Sequence, residues 1–200
     1  MNDSSSIVEF FYNLVPGSLF LFLLKPSGYD IFEKQFPSSD SALKIFAYII
    51  AGLLLGFIFQ GVTKWFRDHF EWNLRTVKQI RCNKLERYKL AYKKIFNKEY
   101  KESEDNDPLL TFYLMDSKLR GDYAAFLPTH FSSIHTFWSN IFFAIILLLF
   151  LTIFKDPSNL YLFSLVLTLI LSLYWANKYL EGFYDTTLNV FYMKYRDKKH

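Results

Sequence analysis

Phe137 to Trp175 reads FWSNIFFAIILLLFLTIF (137–154), KDPSN (155–159) and LYLFSLVLTLILSLYW (160–175), two apolar runs around a polar turn. An apolar helix of about 18 to 20 residues, rising about 1.5 Å per residue, matches a hydrocarbon core about 30 Å thick. The pair therefore predicts a membrane-spanning hairpin. Working outward, Ile7 to Leu24 and Leu43 to Val62 are two further runs of this kind, and the stretches between the runs carry nearly all the charge. The mean hydropathy of +0.09 is an average of two chemistries. In a 200-residue chain, 52% hydrophobic content with 23 Phe, 14 Tyr and only 7 Gly is unlike a soluble globule.

The predicted class is all-α, a polytopic membrane protein with four transmembrane helices and helical cytoplasmic extensions of spans two and four. Residues 1–63 form a first hairpin (spans 7–24 and 43–62), 64–136 a cytoplasmic helical insert, 137–176 a second hairpin, and 177–200 a cytoplasmic helix. Met1 to Ser6 holds no Lys or Arg and no small-residue cleavage site follows, so the first run is expected to be a retained span. Glu9, Asn13 and Pro16-Gly17 interrupt it, which predicts a kinked or two-part helix. Lys25 to Ala42, with Pro26, Gly28, Pro37 and the Ser38 to Ser41 cluster, reads as an external loop ending in a helix cap.

Between Gly61 and Pro108 there is no Gly or Pro, which predicts that the second span runs on out of the membrane. Phe70, Leu74, Val77, Ile80, Leu85, Tyr88, Tyr92 and Ile95 recur mostly at three and four, an amphipathic stripe. Glu102 to Asp107 forms an acidic turn that looks like the cap of a helix over Leu109 to Leu119. Asp122 to Asn140, rich in aromatics, His and Ser and holding Pro128, is expected to approach the third span along the membrane interface. Past the fourth span, Leu180, Tyr184, Leu188, Phe191 and Tyr195 form a second stripe, expected to pack on the first.

Charge orients the chain. Lys64 to Arg120 carries 14 Lys and Arg and the tail after Trp175 carries 5, against 3 in Lys25 to Lys44 and 1 at Lys155. The positive-inside tendency then places both termini and the insert in the cytoplasm. The net charge of +4 would also suit nucleic acid. Basic residues beside spans answer first to lipid, so nucleic acid ranks below the bilayer as a partner and stays open. A single cysteine, Cys82, rules out an intramolecular disulfide.

Two patterns predict helix packing or an oligomer interface. Gly52 and Gly56 lie one turn apart, and Ser164, Thr168, Ser172 and Ala176 fall at strict intervals of four, so a partner helix could approach closely along either face. That partner could be within the chain or in a second subunit; Ser and Thr could also line a pore, or bond back to their own helix. No span carries a mid-membrane Asp, Glu, Lys, Arg or His, which argues against an ion-coupled transporter. No H-E-x-x-H, G-x-S-x-G, C-x-x-C or phosphate-cradling loop occurs, and no cofactor is implied. The remaining polar cluster is Arg120, His130, Ser133 and His135, the basis of an alternative reading as a membrane-surface hydrolase or metal site. Residues five apart align poorly on a helix, and no third ligand is indicated. Lys78, Arg81, Lys84, Arg87, Lys93, Lys94 and Lys98 form a basic face that would attract anionic headgroups, RNA or a protein partner. The alternative is a solvated face balanced by Glu86, Glu99 and the acidic turn.

In plan, with four spans, the Leu14-Val15-Pro16-Gly17 start and a helical insert between spans two and three, the chain resembles small membrane accessory proteins of bacterial antiphage systems. These include the proteins beside type VI CRISPR ribonucleases and the membrane sensor of Kiwa defence. The resemblance implies a bacterial inner-membrane protein that senses or executes defence with an intracellular partner such as a defence nuclease; a homo-oligomer is expected from the packing patterns and extended helices above. It assigns no catalytic residue.

Overall fold

The computed structural model describes residues 3–27, 41–69, 72–103, 105, 107–122, 124–153, 155 and 157–196, with the side chains of 3–9, 27, 41 and 68 left aside. Most of the predicted external loop after Lys25, together with Phe70, Glu104 and Asn106, lies outside the described residues. The described chain is helical, without a strand: α1 (Asp3–Leu24), a 3-10 turn (Lys25–Ser27), α2 (Ser41–His69), α3 (Trp72–Asn83), α4 (Leu85–Phe96), α5 (Pro108–Gly121), α6 (Phe126–Thr152) and α7 (Asn159–Tyr195). Three stretches, in α2, α6 and α7, are long and apolar enough to cross a membrane, an architecture consistent with a helical membrane protein. The apolar part of α1, Phe10–Leu24, is shorter. At about 1.5 Å per residue it extends about 22 Å.

The chain divides into two units, Met1–Phe66 with Ser133–Ala176, and Arg67–Ser132 with Asn177–His200. In the first unit, α6 is the central helix. Its most apolar stretch is 44% buried against 17% for those of α2 and α7, so the latter two present most of their apolar surface outward. From α6, Phe137 meets Tyr12 of α1, Phe143 meets Phe66 of α2 and Trp138 stacks near Trp175 of α7. The core holds Phe20, Leu21, Leu24, Phe59, Ile145, Leu148 and Leu165.

Of the kinked or two-part helix expected for α1, the two-part form does not occur: one helix runs through Pro16. The turn that loses the prolyl hydrogen bond is supported by close packing, since Gly17 and Asn13 lie directly on Gly52 and Gly56 of α2. Pro128 does not interrupt α6 either. It sits in the first turn, where backbone N–H groups lack an intrahelical partner in any case, so the predicted interfacial approach is the start of the helix itself.

The second unit packs α3, α4 and α5 with the last part of α7. Val77, Ile80, Tyr88, Ala91, Phe112, Met115, Leu119, Leu180, Tyr184, Leu188 and Phe191 form its core. The extension predicted to run unbroken from the second span is divided at Lys84, whose φ of −130° and ψ of 41° are not helical. The apolar stripe passes through that position, yet the residue there is a lysine, and its ammonium reaches Asp185 and Asn189 on α7. α4 ends at Asn97, in the left-handed region with φ 52°, its N–H bonded to the Lys93 carbonyl. α5 starts where the acidic turn predicted: the Asp107 carboxylate accepts from the Leu110 N–H at 3.1 Å and Pro108 follows as the first helical residue.

Candidate functional site

The small-residue face of α2 is used inside the chain. A Cβ added to Gly17 would fall 1.8 Å from the Gly52 carbonyl oxygen, and one on Gly56 would fall 2.0 Å from the Asn13 carbonyl oxygen. Asn13 opposite Gly56 and Gly17 opposite Gly52 give an antiparallel register, and the Phe20 and Phe59 rings of the same two helices meet edge-on at 5.4 Å. The sequence pattern singles out Gly52 and Gly56, whereas their partner Gly17, beside Pro16, reads by itself as a helix breaker.

The stripe on α7 is divided. Ser172 and Ala176 are buried, Thr168 is half-buried and Ser164 is exposed. Each hydroxyl bonds to its own helix: Ser164 to the Tyr161 carbonyl, Thr168 to Ser164 and Ser172 to Leu169, at 2.7 to 2.9 Å. Only the Ser164 half can therefore meet another helix without repacking.

The first unit carries a set of buried polar side chains, of which Ser139 and Asn140 are not singled out by the sequence pattern, whereas Asn13, His135 and Ser172 are, in other roles. Asn140 is fully buried and accepts from the Thr63 hydroxyl at 3.1 Å, tying α6 to α2. Among the described residues, the Asn140 amide nitrogen has no hydrogen-bond partner. His135 is 3% exposed, and its Nδ1 lies 2.8 Å from the Ala176 carbonyl oxygen, tying α6 to α7. Asn13, Ser139 and Ser172 are buried as well. Ser139 and Asn140 sit near the polar end of the α6 apolar run, and only that position could have flagged them.

In the second unit, the basic residues of the predicted face have separate fates. Arg81 donates to Asp105 Oδ2 at 3.1 Å, and the Tyr88 hydroxyl donates to the same oxygen at 3.0 Å. The Asp105 side chain is 2% exposed. Burial alone would lower the Arg81 pKa, but the Asp105 hydrogen bond and charge raise it above the ordinary value. Burial pushes the Tyr88 phenol strongly up, and the Asp105 carboxylate adds to this while Thr111 offsets part of it. Tyr100 is raised too, by burial and then by Asp105 and Glu102 against the opposing Arg81 charge. Lys84 pairs with Asp185; Arg87 bonds to Asn189 and lies over the Tyr192 ring at 5.4 Å; Lys93 pairs with Glu99. Lys78, Lys94 and Lys98 are exposed. The residues do not form one open basic surface.

No protein-family model, curated protein or solved structure matches the chain. Its chemistry is therefore read from its own geometry. Arg120 is bound to Asp116 at 2.7 Å, His130 is exposed beside Phe131, and both belong to the second unit, whereas Ser133 and His135 belong to the first. Neither unit by itself assembles a nucleophile, a base and an orienting group from these four. Among the described residues, no three His, Cys, Asp or Glu side chains gather as metal ligands.

Proposed function

We propose that this chain is a non-enzymatic, oligomeric protein of the bacterial inner membrane that couples a transmembrane bundle to a cytoplasmic partner or signal. The bundle has four crossings, with α1 as the shortest, and both termini and the helical insert are cytoplasmic. The observation that carries the reading is that α6 and α7 each contribute residues to both units without a break in the helix, at Ser132-Ser133 and Ala176-Asn177. A rotation or shift imposed on the second unit would pass along these backbones into the first, where His135 ties α6 to α7 and Asn140 ties α6 to α2. The partner, by the resemblance in plan, is an intracellular protein such as a defence nuclease. Subunits meet through the outer half of the α7 stripe, because Ser164 is exposed among Leu160, Phe163 and Leu167.

Cysteine crosslinking in native membranes tests this. In a Cys82→Ser background, Ser164→Cys and Thr168→Cys should yield crosslinked dimers under oxidation, and Leu180→Cys, at a buried position, should not. Monomer alone at 164 and 168 would remove the proposed subunit interface. Dye release from liposomes of the crosslinked and reduced protein then reports whether the bundle opens, with closure by the crosslink expected for a permeabilising assembly.

A further inference from the structure

A cleft of about 420 Å³ lies in the second unit, lined by Trp72, Arg75, Thr76 and Gln79 of α3 and by Asn177 and Glu181 of α7. The volume is in the range that takes a small ligand. Residues 72, 75, 76 and 79 occupy one helical face, and 177 and 181 lie one turn apart on the other wall. The cleft carries one charge of each sign, Arg75 on α3 and Glu181 on α7. Elsewhere in this unit Arg81, Lys84, Lys93, Arg120 and Lys194 are each mated to a carboxylate. Arg75 and Glu181 face a common space from two helices, yet among the described residues neither forms an ion pair within 4.0 Å or a side-chain hydrogen bond. Opposite charges held apart across an open cleft are complementary to a ligand that carries both.

We propose that this cleft binds a zwitterion made of a phosphodiester and a primary ammonium, the chemistry of a phosphoethanolamine headgroup. Arg75 provides the planar fork that grips phosphate oxygens in a bidentate manner. Glu181 accepts from the ammonium, and the Trp72 face offers it a cation–π surface. Gln79 and Asn177 supply neutral donors and acceptors between the two charges. A quaternary ammonium has no N–H to give a carboxylate and is held by a cage of several rings; one indole beside a glutamate selects the primary amine. The membrane lipid is the source, because the cleft residues follow the apolar helices directly: Asn177 comes after Ala176, and Trp72 lies three residues beyond the end of α2. That choice of source rests on the reading as a membrane protein; the ligand chemistry does not.

The test is native mass spectrometry of the full-length protein released from micelles and titrated with phosphatidylethanolamine, phosphatidylcholine and phosphatidylglycerol of identical acyl chains. Glycerophosphoethanolamine is run as the soluble probe. Phosphatidylethanolamine should bind about tenfold more tightly than either other lipid, the ratio that one charge-assisted contact supports. Glu181→Gln should erase the preference over phosphatidylcholine, and Arg75→Gln should weaken binding of all three lipids while Arg75→Lys restores part of it. Both side chains are exposed, and circular dichroism checks that the variants keep the helical fold. Equal affinity for the three lipids, or wild-type binding by Glu181→Gln, overturns the proposal. Glycerophosphoethanolamine bound as tightly as the lipid would overturn the lipid source and uphold the ligand chemistry, even for a chain that failed to enter a bilayer.

Discussion

Gly17 and Gly52 touch backbone to backbone: a single methyl on Gly17 would fall 1.8 Å from the Gly52 carbonyl oxygen, with Gly56 N at 2.9 Å from the same point. No rotamer can relieve that overlap, because both nearest atoms are main chain. Gly17→Ala and Gly56→Ala should each cost about 2 to 3 kcal/mol, as overpacking against an immovable neighbour does. Gly61 is the control, since a Cβ there meets nothing within 4 Å. Gly61→Ala should be neutral or stabilising by up to about 1 kcal/mol through helix propensity. Thermal unfolding in detergent measures all three, and equal midpoints for Gly17→Ala and Gly61→Ala would contradict the contact.

Asp105 holds α3 and α4 to the loop before α5, because Arg81 and Tyr88 both donate to its Oδ2. Removing that oxygen leaves a guanidinium with 14% side-chain exposure and a buried phenol without their acceptor. Asp105→Ala should destabilise the protein by about 2 to 4 kcal/mol. Glu102 also reaches Arg81, at 3.9 Å, but its side chain is 82% exposed. Its replacement by Gln should change stability by less than about 0.5 kcal/mol. Denaturant unfolding of both variants separates the two carboxylates.

Tyr88 adds a pH dependence of definite sign. Its phenol is raised above the ordinary value of about 10 by burial and by Asp105. Below pH 10 the folded and unfolded chains both keep the proton. Above it the unfolded chain releases the proton first, so stability falls as pH rises. In an absorbance titration of the native protein, Tyr88→Phe should remove no tyrosinate signal below about pH 11. Loss of one residue's amplitude near pH 10 would show the phenol to be solvated.

The sequence makes some of this legible and hides the rest for physical reasons. The spacing of Leu180, Tyr184, Leu188 and Phe191 declares a buried face in any helical context, and the Asp107-Pro108 pair declares a helix start, because both are local signals. Among the described acidic residues of the turn, however, it is contact with Arg81 and Tyr88, 24 and 17 residues earlier, that goes with the burial of Asp105. Lys84 belongs by period to the apolar stripe, and the break there depends on Asp185 and Asn189 more than a hundred residues away. Gly17 could be read as a breaker or as a contact. Which of these it is follows from where Gly52 lies, and no local rule supplies that.

Asn140 and Thr63 give the most direct probe of packing within the first unit. The Thr63 hydroxyl donates to Asn140 Oδ1 at 3.1 Å between α2 and α6, and both residues are buried. Polar pairs between membrane helices couple by about 0.6 kcal/mol on average and by about 1.7 kcal/mol at most, because the separated helices find other partners. A double-mutant cycle of Thr63→Val and Asn140→Leu should return a coupling in that range. Asn140→Leu alone carries further information, because the wild-type amide nitrogen is buried without a hydrogen-bond partner among the described residues. Leucine removes that unmet donor together with the bond, so the single replacement should cost less than Thr63→Val, which strands the Asn140 carbonyl and leaves its amide unmet as before. If Asn140→Leu proves the more damaging of the two, the amide nitrogen is satisfied in the working protein, and the buried polar residues around it form part of a hydrated path and not a dry seam.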